Sequence, residues 1–184
     1  MNIIIDNDRI AIREFVTDDW KSVFEFTSNY DCVKHMNWGP LDEKDTISFV
    51  EDAITNQNDS PRKVYNMLIE DKRSNKIVGG ILLTLTSLEN REASLGYCLN
   101  QDYWGLGYGS EAVVLMLKLA FETLTLHRVF ALCDVNNQRS INLLERLNFT
   151  KEGLLREHQF CRKQWKTSAV FSMLEYEFKA MYSI

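Results

Sequence analysis

Three glycines, Gly105, Gly107 and Gly109, stand at alternate positions in "QDYWGLGYGSEA", residues 101 to 112, just before the most apolar stretch of the chain. A glycine turn that opens a helix leaves backbone N–H groups unpaired and aims them, with the positive end of the helix dipole, at the space beyond. The chemistry this suits is anion binding. Gly107 and Gly109 remove side chains that would hold a bulky diphosphate off the backbone, and they permit the positive φ angles that align N–H groups as a nest. Two nucleotide signatures do not fit: no lysine follows as in a P-loop, and Ser110 and Ala112 stand where a GxGxxG motif needs its third glycine. Taken alone, three such glycines serve equally well as a tight connection.

The other reactive side chains are scattered. Cys32, Cys98, Cys133 and Cys161 form no CxxC pair, and the three histidines show no clustered ligand spacing. No metal is therefore expected, and the thiols read as reduced, mostly core residues of a cytoplasmic protein. Charged residues make up 26% of the 184, with a formal net charge of -5, which argues against general nucleic-acid binding and favours cationic partners. The amino-terminal "MNIIIDNDRI" is too short in apolar residues for a signal peptide, and "AVVLMLKLAF" is too short to cross a bilayer.

These groups need a scaffold, and the hydrophobic pattern supplies one. "RIAIREF" at 9 to 15 alternates as a half-buried strand, and "TDDWKSVFEF" follows as a helix start with Thr17 or Asp18 as cap. A second helix is expected over about 42 to 56, where Ile47, Val50 and Ile54 recur at helical spacing, with "CVKHMNWGPL" as loop between the two. "KVYNMLIED" and "KIVGGILLTL" form a hairpin around "KRSN", and "EASLGYCL" at 92 to 99 adds a third strand. The segment from Ser110 to Leu124 carries charge only at Glu111, Lys118 and Glu122 and reads as a buried central helix. "RVFALCDV" at 128 to 135 is a buried-type strand, followed by a helix through Ile141, Leu144 and Leu147. Strands at about 152 to 161 and 166 to 178 close the chain around "RKQW". The expectation is one α/β (α+β) domain over residues 1 to 184, a mixed, mostly antiparallel sheet with helices on both faces.

"GYCLNQDYWGLGYGSEA", followed by "LHRVFALCDVNNQRSINLLERLNFTKEGLLRE", resembles the GNAT superfamily of acetyl-CoA-dependent N-acetyltransferases. Within it the likeness is to the RimJ/RimL-like branch, which acetylates the amino termini of ribosomal proteins. The resemblance runs from the first strand through "VGGILL" to the last hairpin. It implies that the strands at 92 to 99 and 128 to 135 splay into a V that receives the pantetheine arm of acetyl-CoA. Backbone groups of Tyr97, Cys98 and Leu99 would pair with that arm as another strand would. The family's pyrophosphate loop falls on Trp104, Gly105, Leu106, Gly107, Tyr108 and Gly109, with N–H groups from Leu106 to Ser110 as the contacts. Trp104 replaces the superfamily's usual glutamine or arginine, a replacement common in this branch.

Making an amide from a thioester needs an uncharged amine, yet an α-amine has a pKa of ~8 and a lysine of ~10.4, so a proton must be removed and an oxyanion stabilised. An N–H near Leu99 could polarise the thioester carbonyl. Many members protonate the departing thiolate with a tyrosine that here is Leu144. Ser140 is then the candidate, its family counterpart being thought to contact the coenzyme sulfur, although serine also favours helix starts. Asn136 matches a position that contacts coenzyme or acceptor, and asparagine is also a common turn former. The family's base position falls on Gln159, which cannot take a proton. Glu157 and His158 stand beside it and are the candidate bases, with a surface ion pair as the alternative for either. In a regular strand the two face opposite sides, so one alone could reach the cleft. "HMNWGP" at 35 to 40 would form part of the acceptor rim, where Trp38 could stack on substrate or simply fill a loop. His127 and Trp165 read as structural. The implied acceptor is a protein amino terminus, such as that of a basic ribosomal protein. A small amine (polyamine, amino sugar or amino-acid analogue) and a non-catalytic acetyl-CoA sensor stay open, the latter because of Leu144 and Gln159. A homodimer is compatible with the family and fixed by nothing in the composition.

Overall fold

The fold is described by a computed structural model covering residues 3–182. Eight strands, β1 (Ile4–Asp6), β2 (Ile10–Arg13), β3 (Val64–Asp71), β4 (Lys76–Ser87), β5 (Glu92–Leu99), β6 (Arg128–Asp134), β7 (Thr150–Cys161) and β8 (Gln164–Leu174), form one sheet. Their order is β1-β2-β3-β4-β5-β6-β8-β7. Every neighbouring pair is antiparallel except β5 and β6, which run parallel. Six helices complete the fold: α1 (Trp20–Thr27), α2 (Tyr30–Val33), α3 (Glu43–Gln57), α4 (Tyr108–Lys118), α5 (Gln138–Arg146) and α6 (Glu175–Tyr182). Among the described residues no helix is long and apolar enough to cross a membrane.

Strand alternation divides the core into two layers. Met67 and Ile69 of β3 join Ile81 and Leu83 of β4 and the α4 residues Val113, Met116 and Leu117 in one cluster. Leu68, between them in β3, faces the other way and packs with Phe26 of α1 and Val50 and Ala53 of α3. Helices therefore cover both faces. α3 starts where its acidic cluster indicates, with the Asp42 carboxylate accepting the Asp45 N–H at 2.8 Å.

Four expectations are corrected. Neither Thr17 nor Asp18 caps α1. They belong to a 3-10 turn, Thr17–Asp19, whose Asp19 carboxylate accepts the Val16 N–H at 2.7 Å and holds Arg13 with two further bonds. The supposed loop at 32 to 41 begins inside α2, which Asn29 caps through the Asp31 N–H. The final strand stops at Leu174, and "EYEFKAMY", whose aromatic alternation mimics a strand, is helix α6. Phe178 is fully buried against Phe121 at 5.3 Å between ring centroids, and the Glu177 carboxylate accepts the Leu174 N–H. β1 pairs with β2 and was not anticipated by the strand pattern.

Candidate functional site

Two strands that part company make the site. β5 pairs with β4 along its whole length, from Ser87↔Glu92 to Gly79↔Leu99. With β6 it pairs only at Glu92↔Arg128, Ala93↔Val129 and Ser94↔Phe130. β6 meanwhile stays with β8 as far as Asp134↔Ser168. From Leu95 to Leu99 and from Ala131 to Asp134 the facing edges have no strand partner. A cleft of about 290 Å³ opens there, lined by Tyr97, Cys98 and Leu99, by the glycine turn, by the first turns of α5, and by Lys34, His35 and Met36 after α2.

The glycine turn closes one end. Gly105 and Gly107 have φ of +75° and +90°, and Gly107 directly precedes α4. Such angles suit glycine and turn successive N–H groups to one side. The N–H groups of Tyr108, Gly109 and Ser110 lie in the first turn of α4, where a helix offers them no partner. The positive φ expected at Gly109 is not found. That glycine is required for close packing: a Cβ there would lie 2.9 Å from Leu143 Cδ1 and 2.9 Å from Leu99 Cδ1. Trp104 has a definite task, since its Nε1–H donates to the Leu99 carbonyl at 3.0 Å and ties the turn to the end of β5. The Arg139 guanidinium lies 4.3 Å above its ring, so a cation returns to this corner from α5, with Arg146 two turns further along. Leu106 points outward, 54% exposed.

Across the opening, the Tyr97 hydroxyl and Ser140 Oγ are 2.7 Å apart. Ser140 does not begin α5: Asn137 caps it, its side-chain oxygen accepting the Ser140 N–H at 3.2 Å. Burial pushes the Tyr97 phenol far above its ordinary pKa, against the lowering effect of Ser140, so it is a neutral hydroxyl across the physiological range. Burial likewise pushes the Cys98 thiol up to about 12 and raises that of Cys133, which Ser140 tempers. All four cysteines are free. Leu144 is fully buried, and the phenol that stands beside Ser140 is that of Tyr97, from β5.

His35, in the cleft wall, is backed by Asp134, whose side chain is 8% exposed and does not itself line the cleft. One carboxylate oxygen accepts from Asn136 N (2.9 Å) and Nδ2 (3.0 Å). The other faces His35 Nδ1 at 3.5 Å and Lys166 Nζ at 3.3 Å. Asn136 thus turns its amide inward to Asp134 and does not line the cleft, nor do Glu157, His158, Gln159 or Trp38. Glu157 and His158 fall in a bulge between the registers Leu155↔Ser168 and Gln159↔Lys166. There Glu157 has φ of +49°, and both residues line a separate hollow with Leu154, Leu155 and Thr167. The bulge removes the simple alternation expected of neighbours in a strand. Gln159 stands opposite Lys166, so its strand position does face the Asp134 end. Trp38 stacks on Phe49 with ring centroids 6.1 Å apart.

Arg162, in the β7–β8 turn, holds this end together. Its guanidinium donates to the carbonyls of Val33, Lys34, Met36, Trp38 and Gly39 at 2.8 to 3.1 Å. Trp165, expected to be structural, is 60% exposed at the same hairpin tip and packs on Phe160. Sequence reasoning missed the side chains of Tyr97, His35, Asp134 and Arg162. Asp134 alone had a local signal, the D-x-N turn pattern of "DVNN". Among the described residues no group of three or more His, Cys, Asp or Glu could hold a metal ion.

The description of the acetyltransferase (GNAT) domain family matches residues 9–150, and the chain belongs to that family. An uncharacterized N-acetyltransferase, p20, from Bacillus licheniformis is 29% identical over 175 residues, covering 93% of this chain and 96% of its own. A solved GNAT-family acetyltransferase from Bacillus anthracis superposes with a TM-score of 0.84 at 28% identity, covering 95% of this chain and 100% of its own. The [ribosomal protein uS5]-alanine N-acetyltransferase of Escherichia coli is 35% identical over 72 residues, 39% of this chain and 37% of its own. The protein is therefore a GNAT N-acetyltransferase.

Proposed function

We propose that this acetyltransferase moves the acetyl group of acetyl-CoA directly to the α-amine of a protein amino terminus in the cytoplasm. The observation that carries the reading is a single cleft joining the glycine turn, the unpaired edge of β5 and the Tyr97–Ser140 pair. These residues fit the coenzyme. N–H groups from Leu106 to Ser110, with Arg139 and Arg146 nearby, suit its phosphates, and the edge from Tyr97 to Leu99 suits the amides of its pantetheine arm. Bound there, acetyl-CoA supplies an acyl carbon activated by its thioester.

The chain's own groups then have defined tasks. An N–H near Leu99 polarises the acyl oxygen, which in comparable sites contributes about 3 to 4 kcal/mol. Ser140, backed by the neutral Tyr97 phenol, gives a proton to the departing sulfur. The α-amine acceptor is supported by the uS5-alanine relative, although that match spans only part of each chain. The net charge of -5 suits a basic protein partner. Four free thiols suit a reducing compartment.

The test is thiol release from acetyl-CoA with a panel of amino-terminal peptides, polyamines and amino sugars. Turnover with peptides whose α-amine is free, and none after that amine is blocked, is the expected result. Turnover confined to polyamines or amino sugars would replace the protein acceptor with a small amine. Saturable coenzyme binding with no turnover on any amine would favour a sensor.

A further inference from the structure

Acetyl transfer to an amine leaves one proton without a destination. Glu157 and His158 stand outside the cleft, and Gln159 cannot be protonated usefully at neutral pH. Within the cleft wall, His35 follows α2 and projects toward β6, its Nδ1 3.5 Å from Asp134 Oδ2. Among the described residues its Nε2 has no hydrogen-bond partner. The geometry points to His35 as the catalytic base that accepts the acceptor amine's proton at Nε2, with Asp134 as the positioning residue that holds the Nδ1–H.

Three observations support the assignment. His35 lines the same cleft as Ser140 and Tyr97, so the proton acceptor and proton donor share one space. The carboxylate behind it is kept ionised: burial pushes Asp134 up, but the Asn136 amide, His35 and Lys166 outweigh burial and hold it below the usual carboxylate range. The backbone that carries His35 is fixed by Arg162, which grips the carbonyls of Lys34 and Met36 on either side. A buried carboxylate orienting one imidazole nitrogen leaves the other as an acceptor. The charged groups near the ring are Asp134 from β6, Lys166 from β8, and Lys34, just after α2 and paired with Asp31 of that helix. Lys166 also bonds the Lys34 carbonyl, so it braces the dyad from behind.

The proton balance closes. Transfer forms one C–N bond and breaks one C–S bond, and an ammonium acceptor sheds two protons. One replaces the proton that Ser140 gives to the departing sulfur. The other goes to His35 Nε2 and from there to solvent.

The inference rests on the acetyl-transfer reading, and its test separates the two. An α-amine with a pKa of ~8 is about one-tenth free base at pH 7, so His35→Gln should lower kcat/KM about tenfold there and progressively less at higher pH. The acidic limb of the pH profile should move upward, toward the amine's own ~8. A second readout needs no coenzyme: ¹⁵N NMR of the wild-type imidazole should show the Nδ1–H tautomer, and Asp134→Asn should weaken that tautomer preference. An unchanged acidic limb in His35→Gln, or an Nε2–H tautomer in the wild type, overturns the base assignment while acetyl transfer stands. A wild type that turns over no amine overturns both.

Discussion

Replacing Gly107 with valine is expected to weaken acetyl-CoA binding on the order of 10³-fold while the protein remains folded. At φ of +90° a β-branched side chain is strained, at roughly 1 to 3 kcal/mol, and the turn relieves that strain by rotating its peptides. The N–H groups then no longer converge, and losing two charge-assisted hydrogen bonds of about 1.5 to 3 kcal/mol each accounts for the loss of affinity. The new side chain would also meet the Arg9 guanidinium, 3.4 Å from the position its Cβ would take, where Arg9 is paired with Glu111 of α4. Gly153 supplies the control. It has no positive φ and open space where a Cβ would go, so Gly153→Ala should bind coenzyme as the wild type does. Calorimetric titration of both variants, with thermal melts alongside, checks the contrast. Equal affinities for Gly107→Val and the wild type would remove the turn from the binding site.

The second large effect concerns chemistry and leaves binding alone. Ser140→Ala should lower kcat about 100-fold with the acetyl-CoA dissociation constant unchanged, because in the proposed mechanism the hydroxyl acts on the departing sulfur and contributes little to holding the coenzyme. Tyr97→Phe should cost less, since it removes the hydroxyl that backs Ser140 and leaves Ser140 itself. The Tyr97 phenol titrates far above neutrality, so its loss should alter the height of the pH profile and not its limbs. Pre-steady-state measurement of thiol release distinguishes these effects. A Ser140→Ala enzyme with wild-type kcat would return the serine to a purely local role in the first turn of α5.

The sheet, both faces of helices and the glycine turn were legible because each has a periodic or compositional signature. Alternation at 9 to 15 and 92 to 99, the apolar run from Ser110, and glycines before a helix are all local patterns. What stayed hidden depends on long-range contacts. α6 reads as a strand until Phe178 finds Phe121, much earlier in the chain. The bulge at Arg156–His158 has no local mark, and it carries Glu157 and His158 away from the cleft that a regular strand register would have let one of them reach. His35 and Asp134 lie 99 residues apart, and neither position signals the other. Gly109 was legible as necessary, but the positive φ expected of it is absent. Its constraint comes from Leu99 and Leu143, two side chains brought in by β5 and α5, and not from its own backbone angle.

Whether the coenzyme occupies this cleft can be read by NMR, titrating acetyl-CoA into the ¹⁵N-labelled protein. Saturable shifts concentrated at the amides of Leu106 to Ser110, Tyr97 to Leu99 and Ser140 are expected. Saturable shifts that leave the glycine turn and the edge of β5 untouched, or no saturable binding, would contradict the assignment of the cleft to acetyl-CoA.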